Sequence, residues 1–340
     1  MPYQRIAPEQ HDSLPEIPEP AERLRLVGHD GIVRRVLAAL QGGRLHHGLL
    51  LHGPRGVGKA TFAFRLASHI LSGHGGDELA QSEPDSPLFR QIATGTHPAV
   101  LHLTRPLDRE GKNFRTAITV EEVRRVGTLL SHTAHDGGYR IVIVDPAEDM
   151  NASAANALLK NLEEPPQNCL FILISHRPGA LLPTIRSRCQ AYRFDRLADE
   201  EVATLLTELG EPVDAQLLRR AGGSVREAIL LTRNGGLELA SVIDEILAGP
   251  DFDIDKAYRL AEATSARGAE MQYAIVCAEV LDRVAGAARE AGLAGDSSRA
   301  GRLAETWAEI RRETAEADSF NLDRKQHIVA MLQRLRSALG

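Results

Sequence analysis

Residues 53–61 have the spacing of a phosphate-binding loop. The segment Gly53-Pro54-Arg55-Gly56-Val57-Gly58-Lys59-Ala60-Thr61 follows a short apolar run and precedes a helical pattern. Glycines let backbone N–H groups turn inward to phosphate oxygens, and the helix N-terminus adds positive potential. The loop therefore predicts ATP or ADP binding, with Lys59 reaching the outer phosphates. The alternative is a loop kept only as a turn between a strand and a helix.

Two positions near this loop lack groups that magnesium-dependent hydrolysis needs. Ala60 stands where a Ser or Thr hydroxyl usually binds Mg²⁺, and Thr61 comes one residue late. Asp145 ends an apolar run and can hold Mg²⁺ at the carboxyl end of a parallel strand. Pro146 follows it, where an active ATPase of this design often has a Glu that orients water. We expect this chain's own ATPase activity to be weak or absent.

The acidic residues after Pro146 do not restore the missing carboxylate in this interpretation. Glu148 and Asp149 follow within three residues of the proline. A turn that contains proline is expected to direct them away from the phosphates. They are predicted to form a solvated acidic pair at the start of a helix.

The composition is that of an ordinary soluble globular protein. The chain has 340 residues, 43% of them hydrophobic, and a formal net charge of -6, so its overall charge does not attract nucleic acid. Cys169, Cys189 and Cys277 form no CxxC pair, and residues 72–97 contain no cysteine, so no zinc is expected. The chain shows neither a signal peptide nor an apolar run of 18 residues, which predicts a cytoplasmic protein.

The histidine pairs of the chain do not predict a metal site. His46 and His47 are adjacent, and His132 and His135 are three residues apart. No set of cysteines or carboxylates accompanies either pair to complete a coordination sphere. They are interpreted as ordinary surface or capping histidines.

Apolar runs alternate with helical patterns up to Phe194, and the later sequence is helical throughout. The alternation predicts a parallel sheet covered on both faces, with strands at 48–51, 99–104, 140–145, 169–174 and 190–194. Residues 1–22 are rich in proline and are predicted to form an extended tail. The predicted divisions are that tail, a base at 23–197, a small helical unit at 198–240 and a C-terminal helical domain at 241–340.

A combination of short motifs resembles a known family. Asn156-Ala-Leu-Leu-Lys-Asn-Leu-Glu-Glu-Pro-Pro166, followed by Ser187-Arg188-Cys189, is similar to the AAA+ clamp-loader subunits of bacterial DNA polymerase III. Leu26-Val-Gly-His29, Gly42-Gly-Arg-Leu-His-His47 and Gly222-Gly-Ser-Val-Arg226 add to the resemblance, which is dense over residues 23–237. It implies an AAA+ base with a parallel five-stranded sheet, a helical lid and an all-helical collar domain.

The resemblance gives roles to two arginines. Arg188 matches the family's arginine finger, which enters the ATP site of a neighbouring subunit and stabilises charge on the transferred phosphoryl group. Without that context, such an arginine is most simply a solvated or ion-paired side chain. Arg226 matches the second sensor, which faces the phosphates of its own site, and a structural role is the alternative. Ser175 falls at the first sensor position.

The resemblance also implies partners in DNA replication. They are the tau/gamma and delta subunits of a hetero-pentameric clamp loader, the sliding clamp, and primed DNA, all within a DNA-directed DNA polymerase (a nucleotidyltransferase complex). Ala60 and Pro146 favour a non-hydrolysing stator that supplies Arg188 to a neighbour. The alternative is an ATP-hydrolysing motor, either of the tau/gamma type or a branch-migration ATPase.

Overall fold

The structure, a computed structural model, describes residues 3–108, 110–131, 138–320 and 322–340. His132 and His135 lie outside these residues. The chain forms two compact units, one of Met1–Gly210 with Gly222–Arg226 and the other of Glu211–Ala221 with Glu227–Gly340. The three-part division into base, lid and collar stays a prediction.

A five-stranded parallel sheet forms the centre of the first unit and confirms the predicted fold class. Its strand order is β2-β3-β4-β1-β5, and every neighbouring pair is parallel. The strands are β1 (Gly48–His52), β2 (Val100–Leu103), β3 (Arg140–Val144), β4 (Cys169–Ser175) and β5 (Gln190–Arg193). The central strands are continuous apolar runs because helices cover both of their faces.

Among the described residues, seven α-helices belong to the first unit, and the first six contribute side chains to the apolar clusters on the two faces of the sheet. They are α1 (Asp30–Gln41), α2 (Lys59–Leu71), α3 (Pro87–Ala93), α4 (Val120–Ser131), α5 (Ala152–Glu163), α6 (Pro183–Arg186) and α7 (Asp199–Glu208). Alternate residues of β1 enter different cores: Leu49 and Leu51 join one apolar cluster, and Leu50 joins the other. This double burial fixes the register of the strand that leads into the predicted phosphate loop.

The proline-rich N-terminal segment is mostly irregular, but its side chains hold it within the first unit. Arg5 donates from Nη2 to the carbonyl oxygen of Leu14 at 2.6 Å. The Ser13 hydroxyl bonds the carboxylate of Glu19. Near the end of the segment, Ala21 is buried. The segment 3–22, which the sequence predicted to be an extended tail, is thus held by hydrogen bonds within it and by the burial of Ala21.

The second unit is all-helical in the residues that the structure describes. It contains α8 (Ala215–Ala221), most of α9 (Val225–Arg233), and then α10 (Gly236–Ala248), α11 (Ile254–Thr264), α12 (Glu270–Leu293), α13 (Ser297–Phe320) and α14 (Arg324–Leu339). One apolar cluster joins α10 to α14. None of the described helices is both long enough and apolar enough to cross a membrane.

The first unit yields a prediction about pH. His102 on β2 packs edge-on against Phe64, with ring centroids 5.0 Å apart, and burial lowers the pKa of its imidazole from 6.5 to about 4. The unfolded chain therefore binds this proton near pH 6.5, whereas the folded chain does not until about pH 4. The stability contributed by neutral His102 is complete above pH 6.5 and is lost as the pH falls towards 4.

Between pH 7 and pH 5 the wild-type chain loses unfolding free energy in part because its unfolded state binds a proton at His102. We expect this decrease to be smaller by about 2 kcal/mol in the His102→Leu variant. Urea titrations at both pH values measure this difference. His74→Leu, at an exposed position, is the control. Equal losses in wild type and His102→Leu would contradict the prediction.

Candidate nucleotide site and arginine finger

The structure places the predicted loop, residues 53–61, between β1 and the first turn of α2. Gly53 and Gly56 have φ angles of 147° and 70°, which side-chain-bearing residues rarely adopt. A Cβ added at Gly53 would lie 2.1 Å from the carbonyl oxygen of Phe194. One added at Gly56 would lie 2.4 Å from the hydroxyl oxygen of Ser224. Close packing therefore requires both glycines.

The other loop residues have different environments. Val57 is fully buried, and its carbonyl oxygen accepts a hydrogen bond from Nε2 of His29 at 2.7 Å. Ala60 packs against the apolar core, and Thr61 follows it in α2. Arg55 is exposed.

Lys59 is directed at the loop itself. Its Nζ donates to the carbonyl oxygen of Gly53 at 2.8 Å and also to that of Pro54. Burial lowers the pKa of this amine to about 8, and the nearby charges of Asp145 and Glu148 oppose that change. The lysine is thus satisfied within the protein by carbonyl groups of its own loop.

The segment Gly222–Arg226 lies against the phosphate loop. The Val225 N–H donates to the Gly56 carbonyl oxygen at 3.0 Å, and the Ser224 hydroxyl donates to the Arg55 carbonyl oxygen at 2.9 Å. These bonds place Arg226 beside the loop. Its Nη1 lies 3.7 Å from the carboxylate Oδ2 of Asp12.

Asp145 follows β3 at the carboxyl edge of the sheet, where the loop also lies. Burial raises the pKa of its carboxyl to about 7; the charge of Asp12 adds to this increase, and that of Lys59 opposes it. Burial disfavours the charged form of this carboxyl, which therefore holds its proton to a higher pH than an exposed aspartate does. Pro146 is buried behind it.

The expectation that Glu148 and Asp149 form a solvated pair is wrong. Asp149 is only 9% exposed, and its Oδ2 accepts a hydrogen bond from Arg105 Nε at 2.5 Å. Glu148 accepts the backbone N–H groups of His176 and Arg177 at 2.9 and 3.1 Å. The 3-10 turn over residues 147–149 directs both carboxylates towards neighbouring segments instead of solvent.

The first sensor position carries a buried turn contact. Ser175 ends β4, and its hydroxyl oxygen accepts the Arg177 N–H at 3.2 Å. Across the described ranges of the chain, no three or more His, Cys, Asp or Glu side chains come together as a metal site would require. The residues near the loop provide Asp145 as a carboxyl group, but Ala60 provides no hydroxyl.

Arg188 lies near the amino ends of the parallel strands, whereas the phosphate loop lies at their carboxyl ends. Its carbonyl oxygen is 3.1 Å from a Cβ built on Gly48, the first residue of β1. The loop begins after His52, the last residue of this five-residue strand. At about 3.3 Å per residue, β1 separates the two positions by about 16 Å. Arg188 therefore faces away from this chain's own phosphate loop.

The guanidinium of Arg188 is held at the surface by two contacts. Nη1 donates to the Thr184 carbonyl oxygen at 3.0 Å, and Nη2 lies 2.9 Å from Oε1 of Glu163. The side chain remains 36% exposed. It borders an open cavity of about 640 Å³ whose lining also includes Glu163 and the two histidines His46 and His47.

The sequence interpretation missed these neighbours of Arg188. It interpreted His46 and His47 as ordinary surface or capping histidines and gave Glu163 no role. His46 and His47 precede β1, and Arg188 precedes β5, which pairs in parallel with β1. The order of the strands would therefore have predicted that the two histidines lie near Arg188. Glu163 could be found only from the packing of α5 against α6.

Residues 28–198 match the family model described as "DNA polymerase III, delta subunit". The chain belongs to this clamp-loader family. It is 38% identical over 205 residues to the DNA polymerase III subunit delta′ of Pseudomonas aeruginosa, with 55% of this chain and 60% of the relative covered. The delta′ subunit of Bacillus subtilis is 34% identical over 204 residues, with 60% and 59% covered. The chain thus spans about three fifths of the length of these curated relatives.

The chain is also similar to a tau subunit of DNA polymerase III. The tau subunit of Bacillus subtilis DNA polymerase III is 29% identical over 245 residues, with 71% of this chain and 40% of tau covered. The predicted clamp-loader resemblance is confirmed, with delta′ subunits among its relatives.

The contact between Gly56 and Ser224 can be tested by substitution. We expect Gly56→Ala to lower the unfolding free energy by about 1–3 kcal/mol, because a left-handed φ and a close contact both oppose a side chain. Gly31→Ala is the control: it lies in α1, where an added Cβ meets nothing within 4 Å, and it should stabilise by up to about 1 kcal/mol. Denaturant titrations that gave both variants the same change would contradict the packing described for the loop.

Proposed function

We propose that this chain is a delta′-type stator of the DNA polymerase III clamp loader and supplies Arg188 to the ATP site of an adjacent motor subunit. The position of Arg188 carries the proposal: it lies about 16 Å from this chain's own loop, across the length of β1. A guanidinium there cannot assist hydrolysis at its own phosphate loop. Its exposed edge leaves donors available to a phosphate on another subunit.

The chain's own site supports a role without turnover. Lys59 donates to loop carbonyl oxygens, and Pro146 provides no base to activate water. The residues do not fit a productive Mg²⁺ site, because Ala60 has no side-chain oxygen to bind the ion. ATP or ADP binding at the loop belongs to the proposal, and hydrolysis does not.

The proposed partners follow from the family. They are tau/gamma and delta subunits, with which this chain would complete a loader that opens the sliding clamp on primed DNA. A net charge of -6 favours contact with DNA through the assembly and not through this chain alone. The surface around Arg188 is the face offered to the motor subunit.

The second candidate is an ATP-hydrolysing motor, favoured by the glycine-rich loop and by the similarity to tau. We expect the purified chain with Mg²⁺ and ATP to release no phosphate above background, and Lys59→Ala to change nothing. A phosphate-release assay measures both. Turnover that Lys59→Ala abolishes would establish the motor and reject the stator.

Arg188→Ala tests the proposed finger in a loader reconstituted with tau/gamma and delta. Hydrolysis at the adjacent ATP site should slow by about 10³–10⁵-fold, because the charge of the phosphoryl group loses its guanidinium. Other sites should keep their rate. Single-turnover hydrolysis on primed DNA with the clamp measures the fraction of ATP that enters the slow phase.

Arg186→Ala provides a matched control, since Arg186 is exposed two residues earlier on α6. Arg186→Ala should leave the rate of ATP hydrolysis unchanged, both at the adjacent site and at the other sites. A loader with Arg188→Ala that hydrolyses all its ATP at the wild-type rate would show that the finger assignment is wrong.

A further inference from the structure

The N-terminal segment folds back on itself and presents one face to the carboxyl edge of the sheet. Besides the Arg5 contacts, the Ser13 hydroxyl accepts the Gln10 N–H at 2.7 Å, and Ser13 N–H donates to the Gln10 carbonyl oxygen at 3.1 Å. These bonds define a tight turn over residues 10–13. Asp12 lies within this turn, so its direction is set by the local backbone.

Contacts on both sides of Asp12 hold the turn against the first unit. His11 Nε2 lies 3.9 Å from Asp149 Oδ2, and the His11 ring meets Phe114 edge-on at 6.5 Å between centroids. Earlier in the segment, Pro8 lies 3.9 Å from a Cβ built on Gly95. The turn is therefore placed by residues from several parts of the first unit.

This placement brings the carboxylate of Asp12 into the charged surroundings of the phosphate loop. Its Oδ2 is 3.7 Å from Nη1 of Arg226, the predicted sensor of nucleotide phosphates. Its charge also acts on the Asp145 carboxyl and adds to the increase in the pKa of that group. Asp12 is thus an anion in contact with Arg226 and within electrostatic reach of Asp145.

We propose that Asp12 occupies, on Arg226, the place of a nucleotide phosphate, so that the N-terminal segment competes with nucleotide for the phosphate loop. The proposal rests on the assignment of this loop and Arg226 to nucleotide. It is independent of the role of Arg188 on a neighbouring subunit. An incoming polyphosphate would meet the charge of the Asp12 carboxylate on Arg226, and the repulsion between the two anions disfavours binding of both.

The charges around the loop support this competition. Arg55, Lys59 and Arg226 are the cations that act there, and Asp12, Asp145 and Glu148 are the carboxyl groups near them. A bound phosphate would have to replace two sets of contacts, the donation of Lys59 to loop carbonyl oxygens and the ion pair between Asp12 and Arg226. Removing the Asp12 charge frees Arg226 and removes a nearby anion in one step.

Nucleotide titration of the purified full-length chain tests the proposal. Asp12→Asn, which keeps the size of the side chain, should lower the Kd for ADP and for inorganic tripolyphosphate by about five- to tenfold. Isothermal titration without Mg²⁺ measures both probes. If the tighter binding arises at the phosphate loop, adding Lys59→Ala to Asp12→Asn should abolish it.

Two controls separate competition from general effects. Glu16→Gln removes the same charge from an exposed position of the same segment and should leave Kd unchanged. Asp12→Glu retains a carboxylate and should bind no more tightly than wild type. The proposal is overturned if Asp12→Asn binds as wild type does, if neither binds, or if Glu16→Gln gives the same gain.

Hydrogen exchange provides a measurement that does not depend on a substitution. Saturating ADP should reduce the protection of the Ser13 amide, which is bonded within the turn, because the turn leaves the site when nucleotide enters. Unchanged or increased protection on saturation would overturn the proposal. The stator test uses the assembled loader and Arg188, so failure of either proposal is distinguishable from failure of the other.

Discussion

The double pairing of β1 is the interaction on which both charged sites depend. This strand pairs with β4 on one side and with β5 on the other, and its leucines alternate between two buried cores. A one-residue slip would reverse which leucines face which core, so the register is strongly fixed. The carboxyl end of β1 then leads into the phosphate loop, while its amino end lies beside Arg188. One short strand separates the two functions.

A phosphate-loop sequence can persist for reasons other than turnover. Gly53 approaches the backbone of Phe194, and Gly56 contacts the segment that carries Arg226. Both contacts exclude a Cβ, so packing alone selects glycine at these positions. The loop therefore links three segments of the first unit whether or not nucleotide is hydrolysed. Ala60 and Pro146 are substitutions that this structural role tolerates.

Local sequence patterns were sufficient to predict the five strands and the position of the loop, because apolar runs and glycine spacing are local signals. The environments of Glu148, Glu163 and Asp12 were not predictable in this way. Glu148 turns inward through a 3-10 turn, and Glu163 meets Arg188 through the packing of α5 with α6. Asp12 reaches Arg226 across most of the first unit's sequence. Each depends on contacts between distant parts of the chain.

The pair of Arg188 and Glu163 also affects the side-chain entropy of the arginine. A free arginine side chain carries about 2 kcal/mol of rotamer entropy. Contacts with Glu163 and Thr184 restrict that freedom before any neighbour arrives. Because the pair is half-exposed, it contributes little stability of its own and is readily exchanged. The folded chain thus restricts part of the rotamer freedom of Arg188 before the proposed contact with a neighbouring subunit forms.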